Sequence, residues 1–382
     1  MIESTVARSL RIIALASACI LTQVAGAAAQ QTTADGAALI ARFSLREDAT
    51  PMRDRPGWAP PRRIVMHGPA EWATSLRAAA PGVPIVTAPT PDSAAKLLGD
   101  ADVYIGLCIP ATLSAGRNLK WIQLWSAGAD PCASLLNSAQ RPIVLTNAQG
   151  LYGPQIAEHA MGFVLALARR LHLYRDEQRT QQWSHPIADP RAATGMGIWE
   201  LEGKNLLVVG LGGIGTEVAR RAHALGMRVR ATRNTGREGP DFVEYVGLAN
   251  EAVTLAAWAD VVVNCTPLTA DTRGMFNAAF FRAMKPTAYF INVGRGESVV
   301  TVDIVDALQA KRIAGAALDV TDPEPLPARH PLWSMPNVIL TPHNAVASDL
   351  VLNRATTLAA ENLRRYVRGD RLVSVVDVRR GY

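Results

Sequence analysis

Aromatic residues are scarce in this 382-residue chain, at 6%, and charged side chains reach only 19%. The net charge of +6 is mostly arginine, yet there is no long basic run and no interleaving of basic with aromatic residues. That pattern argues against a nucleic-acid surface and fits a general pull on anionic ligands. Cysteine is sparse too, with four residues and no CxxC spacing. Beyond the leader discussed next, Cys108, Cys132 and Cys265 remain, an odd set that predicts neither a zinc site nor a disulfide framework. No apolar run is long enough to favour a membrane span. What the chain does have is aliphatic mass: 49% of positions are hydrophobic, enough at this length for two cores.

The start of the chain predicts an export signal over residues 1–30, and hence a periplasmic or secreted protein. Arg8 and Arg11 form a basic n-region, residues 12–24 an apolar h-region, and "AGAAAQ" offers small residues for cleavage. A poor lipobox around Cys19 is a lesser variant, and a downstream true start with a cytoplasmic protein is the alternative. Residues 31–61, with prolines at 51, 56, 60 and 61, look like an N-terminal extension serving as a tether.

From residue 62 the text alternates short strands and helices. "RRIVMHG", "VPIVTA", "ADVYIGL", "LKWIQLW" and "RPIVLTN" are strand-like, with "PAEWATSLRAAA" and "CASLLNSA" helical between them. Such alternation predicts a parallel sheet wrapped by helices. "GPQIAEHAMGFVLALARRLHLY" (153–174) predicts one long helix without an internal breaker, and 349–369 another. They bracket a second alternating block, from "KNLLVVG" to "NVILTPH". This suggests an insertion: 62–152 and 346–382 as one domain, 153–345 as another, with a cleft between and the helices as hinges.

"NLLVVGLGGIG" carries Gly210-x-Gly212-x-x-Gly215, with Gly213 and Ile214 between. It follows an apolar strand, opens a helix and precedes a second strand, the context a dinucleotide fingerprint requires. The first glycine allows the turn, the second lets pyrophosphate reach the backbone, and the third lets helix pack on strand. At the end of the second strand, where an NAD site places an acid, the chain reads Arg233-Asn234-Thr235, with Arg237 close behind. A guanidinium there suits a 2′-phosphate, so NADP(H) is favoured with NAD(H) possible.

Three ionisable residues then follow strand-like runs: Arg295 in "INVGRGE", Glu324 in "VTDPEPL" and His343 in "LTPHN". Parallel strands bring their carboxyl ends to one sheet edge, beside the glycine turn. Hydride transfer to a ketone needs a proton donor about 3 Å from the oxygen, which suits His343. A carboxylate on the ring, Glu324, stabilises the imidazolium, and Arg295 can hold a substrate carboxylate.

On "GLGGIG", "ADVVVNCTPLTADTRGMFN", "MKPTAYFINVGRGESV", "GAALDVTDPEPL", "LTPHNA" and "VVDVRRGY", the chain resembles the D-isomer-specific 2-hydroxyacid dehydrogenases, particularly glyoxylate/hydroxypyruvate reductase-like members. The resemblance implies an α/β fold of two doubly wound parallel-sheet domains, a Rossmann nucleotide domain inserted into a flavodoxin-like substrate domain. It implies that Arg295 binds substrate, that Glu324 pairs with the acid/base His343, and that Asp319 meets the nicotinamide carboxamide. It also places Thr266 and Pro267 beside the cofactor, and gives the amides of Ala127 and Gly128 in "WSAGAD" the substrate carboxylate. No metal is implied, and a homodimer is. The substrate would be a small 2-oxo acid, with the D-2-hydroxy acid as product.

Cys265-Thr266 stands where the family often has His-Leu or Ala-Leu, and "NAVAS" after His343 lacks a frequent glycine. Glu324 occupies the position where formate-oxidising relatives carry Gln. Two other functions compete: a non-catalytic dinucleotide sensor, and a phosphite or formate dehydrogenase. His159 with Glu158 suggests a structural contact at a domain or subunit interface. Trp121, Trp125 and Trp183 suggest core or interface, and His67 and His185 suggest no role.

Overall fold

The computed structural model describes residues 34–183 and 198–381. The expected signal and His185 lie outside these residues. The chain divides into two compact units, one running to Gln149 and resuming at Leu352, the other spanning Gly150–Val351.

In the first unit a helix over 34–43 (α1) precedes β1 (Ile64–His67), α2 (Ala73–Ala79), β2 (Ile85–Ala88), α3 (Pro91–Ala95), β3 (Val103–Gly106), α4 (Pro110–Ala115), β4 (Trp121–Leu124), α5 (Asp130–Ala139) and β5 (Val144–Thr146). All five strands are parallel, in the flavodoxin-like order β2-β1-β3-β4-β5. β3 and β4 are wholly buried, which is why they read as continuous apolar runs.

The second unit holds α6 (Gly153–Ala168), α7 (Leu171–Arg179), β6 (Asn205–Val209), α8 (Gly213–Ala224), β7 (Arg228–Arg233), β8 (Tyr245–Leu248), α9 (Ala252–Ala256), β9 (Val261–Asn264), α10 (Ala278–Ala283), β10 (Tyr289–Asn292), α11 (Thr301–Gln309), β11 (Gly315–Leu318) and β12 (Val338–Leu340). Its seven strands are parallel in the order β12-β11-β10-β9-β6-β7-β8. The winding reverses between β6 and β9, and a crevice opens at the carboxyl ends of strands where that happens. Phe276, Phe280, Phe281 and Phe290 pack in its core. The chain then returns to the first unit through α12 (Val351–Arg368), where Tyr366 stacks on Trp121 at 5.2 Å.

Three expectations are corrected. Residues 34–61 are no tether: Asp48 N donates to Leu372 O at 2.8 Å, Met52 N to Asp370 O at 3.0 Å and Trp58 Nε1 to Tyr366 O at 3.1 Å. Pro51 instead leads into a short 3-10 helix, Met52–Asp54, that is bonded to the C-terminal segment. The single helix over 153–174 is instead α6 and α7, broken at Arg170, whose φ is +59°. His172 Nδ1 donates back to Ala166 O at 3.2 Å across that break. Lastly, Cys108 and Cys132 form a disulfide with Cα atoms 5.4 Å apart, leaving Cys265 the free thiol among the described residues. Adjacent strand ends bring together two cysteines that lie 24 residues apart in sequence.

Among the described residues no helix is long and apolar enough to cross a membrane.

Candidate active site

The carboxyl edge of the seven-stranded sheet gathers nearly all the predicted site residues. Between β6 and α8, Gly210 adopts φ +98°, which favours glycine. A Cβ on Gly215 would lie 2.1 Å from Gly210 O, so the helix can start this close to the strand only with glycine there. A Cβ on Gly212 would meet nothing within 4 Å, so that face is open. No side chain caps α8, so the backbone N–H groups at its start, from Gly213 and Ile214 on, point to an anion through the positive end of the helix.

At the end of β7, Arg233 donates from one Nη to Glu238 O at 2.6 Å. Asn234 and Thr235 follow on the exposed turn. Arg237 is committed elsewhere, to Glu251 and to Tyr245 Oη at 2.7 Å. Hydrogen bonds from Arg237, Tyr245 and the Leu248 amide pull the Glu251 carboxyl down to about 2. Of the two arginines, Arg237 is thus paired with a carboxylate and Arg233, among the described residues, with a backbone carbonyl only.

The glycines flanking Arg295 serve backbone packing. A Cβ on Gly294 would sit 2.8 Å from Thr266 O, and one on Gly296 only 1.9 Å from Thr321 O. The Arg295 segment is thus wedged between the turns that follow β9 and β11. A buried polar network, missed in the sequence, fixes it from below. Asn264 Nδ2 donates to Asn292 Oδ1 and to Ser298 Oγ, both at 2.8 Å, and Asn292 Nδ2 donates to Arg295 O at 3.0 Å. Asn264 Oδ1 also accepts from Thr266 N at 2.9 Å and from Thr266 Oγ1 at 2.7 Å, which sets the turn into Pro267. The available signal was an asparagine ending two successive apolar runs, "VVVN" and "YFIN"; these are register partners in β9 and β10. Burial pushes the neighbouring Cys265 thiol up to about 12.

His343 Nδ1 lies 2.6 Å from Glu324 Oε1, and both side chains are half exposed. With a carboxylate as partner Nδ1 is the donor, so Nε2 is the ring nitrogen left for other chemistry. The His343 backbone is left-handed, with φ +52°, and is held there: its N–H donates to Asp319 O at 2.7 Å. Asp319 is buried, and its carboxylate accepts from Asn344 N at 2.9 Å, Ala345 N at 3.1 Å and Thr341 Oγ1 at 2.5 Å. Asp319 therefore builds the turn that carries His343, beside any cofactor contact. His159 Nε2 meets Thr341 Oγ1 at 3.0 Å, and Glu158 meets Arg221 at 3.1 Å. Both are structural contacts within the second unit, where α6 packs on α8 and the sheet.

Close contacts thus run from Gly210 to the backbone of Cys265 and Thr266, from Thr266 to Gly294, and from Gly296 to Thr321. Thr321 N lies 3.5 Å from Glu324 Oε2, and Glu324 reaches His343.

In the first unit the Trp125–Ala129 loop leaves β4. Trp125 Nε1 donates to His67 O at 2.8 Å, Asn147 Nδ2 to Ala127 O at 2.6 Å and Ser126 Oγ to Gly128 O at 2.7 Å. Carbonyls are thus bound, while the N–H groups of Ala127 and Gly128 donate to nothing among the described residues. Trp121 is core as expected, whereas Trp183 is 88% exposed.

The family profile described as D-isomer specific 2-hydroxyacid dehydrogenase, NAD binding domain, matches residues 161–345. A glyoxylate reductase/hydroxypyruvate reductase of Mus musculus is 37% identical over 267 residues, 68% of this chain and 78% of that protein. The chain belongs to the D-isomer specific 2-hydroxyacid dehydrogenase family. A crystal structure of a family protein from Aeromonas salmonicida superposes with TM-score 0.71 at 32% identity, covering 83% of this chain and 99% of that one. An NADPH-dependent glyoxylate/hydroxypyruvate reductase from Sinorhizobium meliloti, in complex with NADP and sulfate, gives TM-score 0.69 at 27% identity over 84% of this chain and 99% of that one. The two-sheet α/β architecture is that of the family.

Proposed function

We propose that this family member reduces a small 2-oxo acid of the glyoxylate or hydroxypyruvate type to its D-2-hydroxy acid, with NADPH preferred over NADH. The observation that carries the reading is the 2.6 Å His343–Glu324 pair, linked by contiguous packing to Arg295 and the glycine turn. The chemistry supplied by a bound nicotinamide cofactor is the hydride. The open face at Gly212 and the amides at Gly213, Ile214 and Gly215 suit its pyrophosphate, Arg233 with Asn234 and Thr235 the 2′-phosphate side, and Thr266, Pro267 and Asp319 the nicotinamide side.

Arg295 suits the substrate carboxylate through paired charged hydrogen bonds, and the amides of Ala127 and Gly128 are assigned to that carboxylate by the family resemblance alone. His343 delivers the proton from Nε2 to the carbonyl oxygen as it gains an electron pair. Glu324 holds the ring through Nδ1 and offsets the charge on the imidazolium. In the oxidative direction the neutral ring takes the proton back.

The test is NADPH consumption with glyoxylate or hydroxypyruvate. Tight NADPH binding with no turnover of either acid overturns the enzyme reading in favour of a sensor. Reduction of NADP+ by phosphite or formate, without oxo-acid turnover, redirects it. For the cofactor, Arg233→Asp is expected to lose the NADPH preference by about tenfold to a hundredfold, the worth of a charge-assisted hydrogen bond. An unchanged preference removes Arg233 from the argument. Light scattering checks the homodimer.

A further inference from the structure

We propose that the Cys108–Cys132 disulfide is a covalent clamp on the Trp125–Ala129 loop, set by the thiol redox poise around the protein, that keeps the loop in its carboxylate-binding form. The inference rests on the reading that Ala127 and Gly128 bind the substrate carboxylate.

The strand register supplies the geometry. β3 and β4 are parallel neighbours with Gly106 opposite Leu124, so the chain after each leaves the sheet side by side. Trp125 N donates to Gly106 O at 3.4 Å, which ties the loop's start to the end of β3. At its other end Ala129 leads into α5, and Cys132 in the first turn of that helix is bonded back to Cys108, just past β3. Both ends of the loop are thereby fixed to the same segment, one by a hydrogen bond and one covalently. Between them Trp125 packs edge-on against Trp72 at 5.8 Å, while Ser126, Ala127 and Gly128 are half-buried and add no side chain to the core. Its Ala127 and Gly128 carbonyls are held by Asn147 and Ser126, and the N–H groups of the same two residues donate to nothing among the described residues, an arrangement that depends on the path of the loop. Cys132 is buried, while Cys108 is half-buried and gives an attacking thiolate its access.

The chemistry balances as thiol–disulfide exchange. Two cysteine thiols and a small disulfide donor, R–S–S–R, give the Cys108–Cys132 bond and two R–SH. The donor's bond breaks, accepting two electrons and two protons, and a dithiol reductant reverses the exchange.

The full chain is compared after equilibration with oxidised glutathione and with dithiothreitol. Alkylation and mass spectrometry are expected to find Cys108 and Cys132 blocked by their mutual bond in the first state and both labelled in the second. Reduction is expected to raise the KM for glyoxylate about tenfold, the worth of a charge-assisted hydrogen bond. The kcat should change by no more than about twofold, as expected when binding rather than chemistry is altered. The KM for NADPH stays constant, because the nucleotide unit contains no part of the clamp. The double variant Cys108→Ser/Cys132→Ser behaves as the reduced enzyme in both buffers. Should that variant not fold, hydrogen exchange on reduced wild-type protein reads the clamp directly. The amides of Ala133 and Ala148, which bond to Ala129 O and Ser126 O, exchange faster once the bond is cut. An unchanged glyoxylate KM in an enzyme that turns over overturns the proposal, as do free thiols at both positions in oxidised glutathione. Faster exchange on reduction with no oxo-acid turnover in either state keeps the clamp and overturns the functional reading. Equal exchange in both states overturns the clamp.

Discussion

Charge, and not only shape, is what the His343–Glu324 contact supplies. Glu324→Gln keeps an oxygen facing Nδ1 and removes the charge, so the imidazolium loses its counter-ion while the ring keeps its place. The kcat for oxo-acid reduction is expected to fall about tenfold to a hundredfold with the KM for NADPH unchanged. His343→Ala is expected to lose about 10²- to 10⁴-fold, the usual worth of a positioned acid. Steady-state rates separate these from a mere folding defect, which would lower active enzyme and leave both KM values alone. Gly296→Ala tests the packing beneath. The added Cβ would fall 1.9 Å from Thr321 O, so the backbone must move, at about 1–3 kcal/mol of stability, and the oxo-acid KM must rise as Arg295 shifts. The meeting of Glu324 with His343 was legible in the sequence because each follows an apolar run, as Arg295 does, and strand ends are where a parallel sheet presents chemistry. Asn264 and Asn292 were not, since a strand-end asparagine looks like ordinary punctuation until the register sets one against the other.

The inner strands β3, β4, β9, β10 and β11 were legible as elements because burial on both faces favours apolar runs. The break between α6 and α7 was not: no glycine or proline marks it, and Arg170 takes the left-handed conformation through its surroundings. That junction carries a pH dependence. Burial lowers the pKa of His172 from its ordinary 6.5, so the native ring is kept neutral where an unfolded one would charge. A depressed pKa contributes stability that is present above 6.5 and is lost as pH falls below it. His67 in β1 is lowered by burial too, so two sites pull the same way. The melting temperature is therefore expected to drop between pH 7 and pH 5, and His172→Gln, which cannot charge, to flatten that drop. Hydrogen exchange assigns the shares: acid-induced opening at residues 166–172 reports His172, and opening around β1 reports His67. A variant whose pH profile overlays that of the wild type removes the ring from the account.

At the scale of the whole molecule, alternation and two long helices foretold two parallel sheets, but the sequence did not show what ties the first unit together. An odd set of three cysteines predicts no disulfide framework, and only the adjacency of β3 and β4 brings Cys108 and Cys132 together. Disulfides persist in oxidising compartments, which is where the export signal expected over residues 1–30 would send the chain. Each unit thus has its own handle. The closed loop spans a sequence separation of 24, which corresponds to roughly 3–4 kcal/mol of loop-closure entropy, all in the first unit. NADPH at a hundred times its Kd is expected to add about 2.7 kcal/mol, all through groups of the second. Hydrogen exchange on the full chain distinguishes the two effects. Reduction should deprotect β3 to β5 and leave β6 to β12 unmoved, while NADPH should protect the carboxyl ends of β6, β7, β9 and β10 in either redox state. Deprotection that spreads evenly over both sheets on reduction, or protection by NADPH that appears first in β1 to β5, would mean that the assignment of chemistry to these two units is wrong.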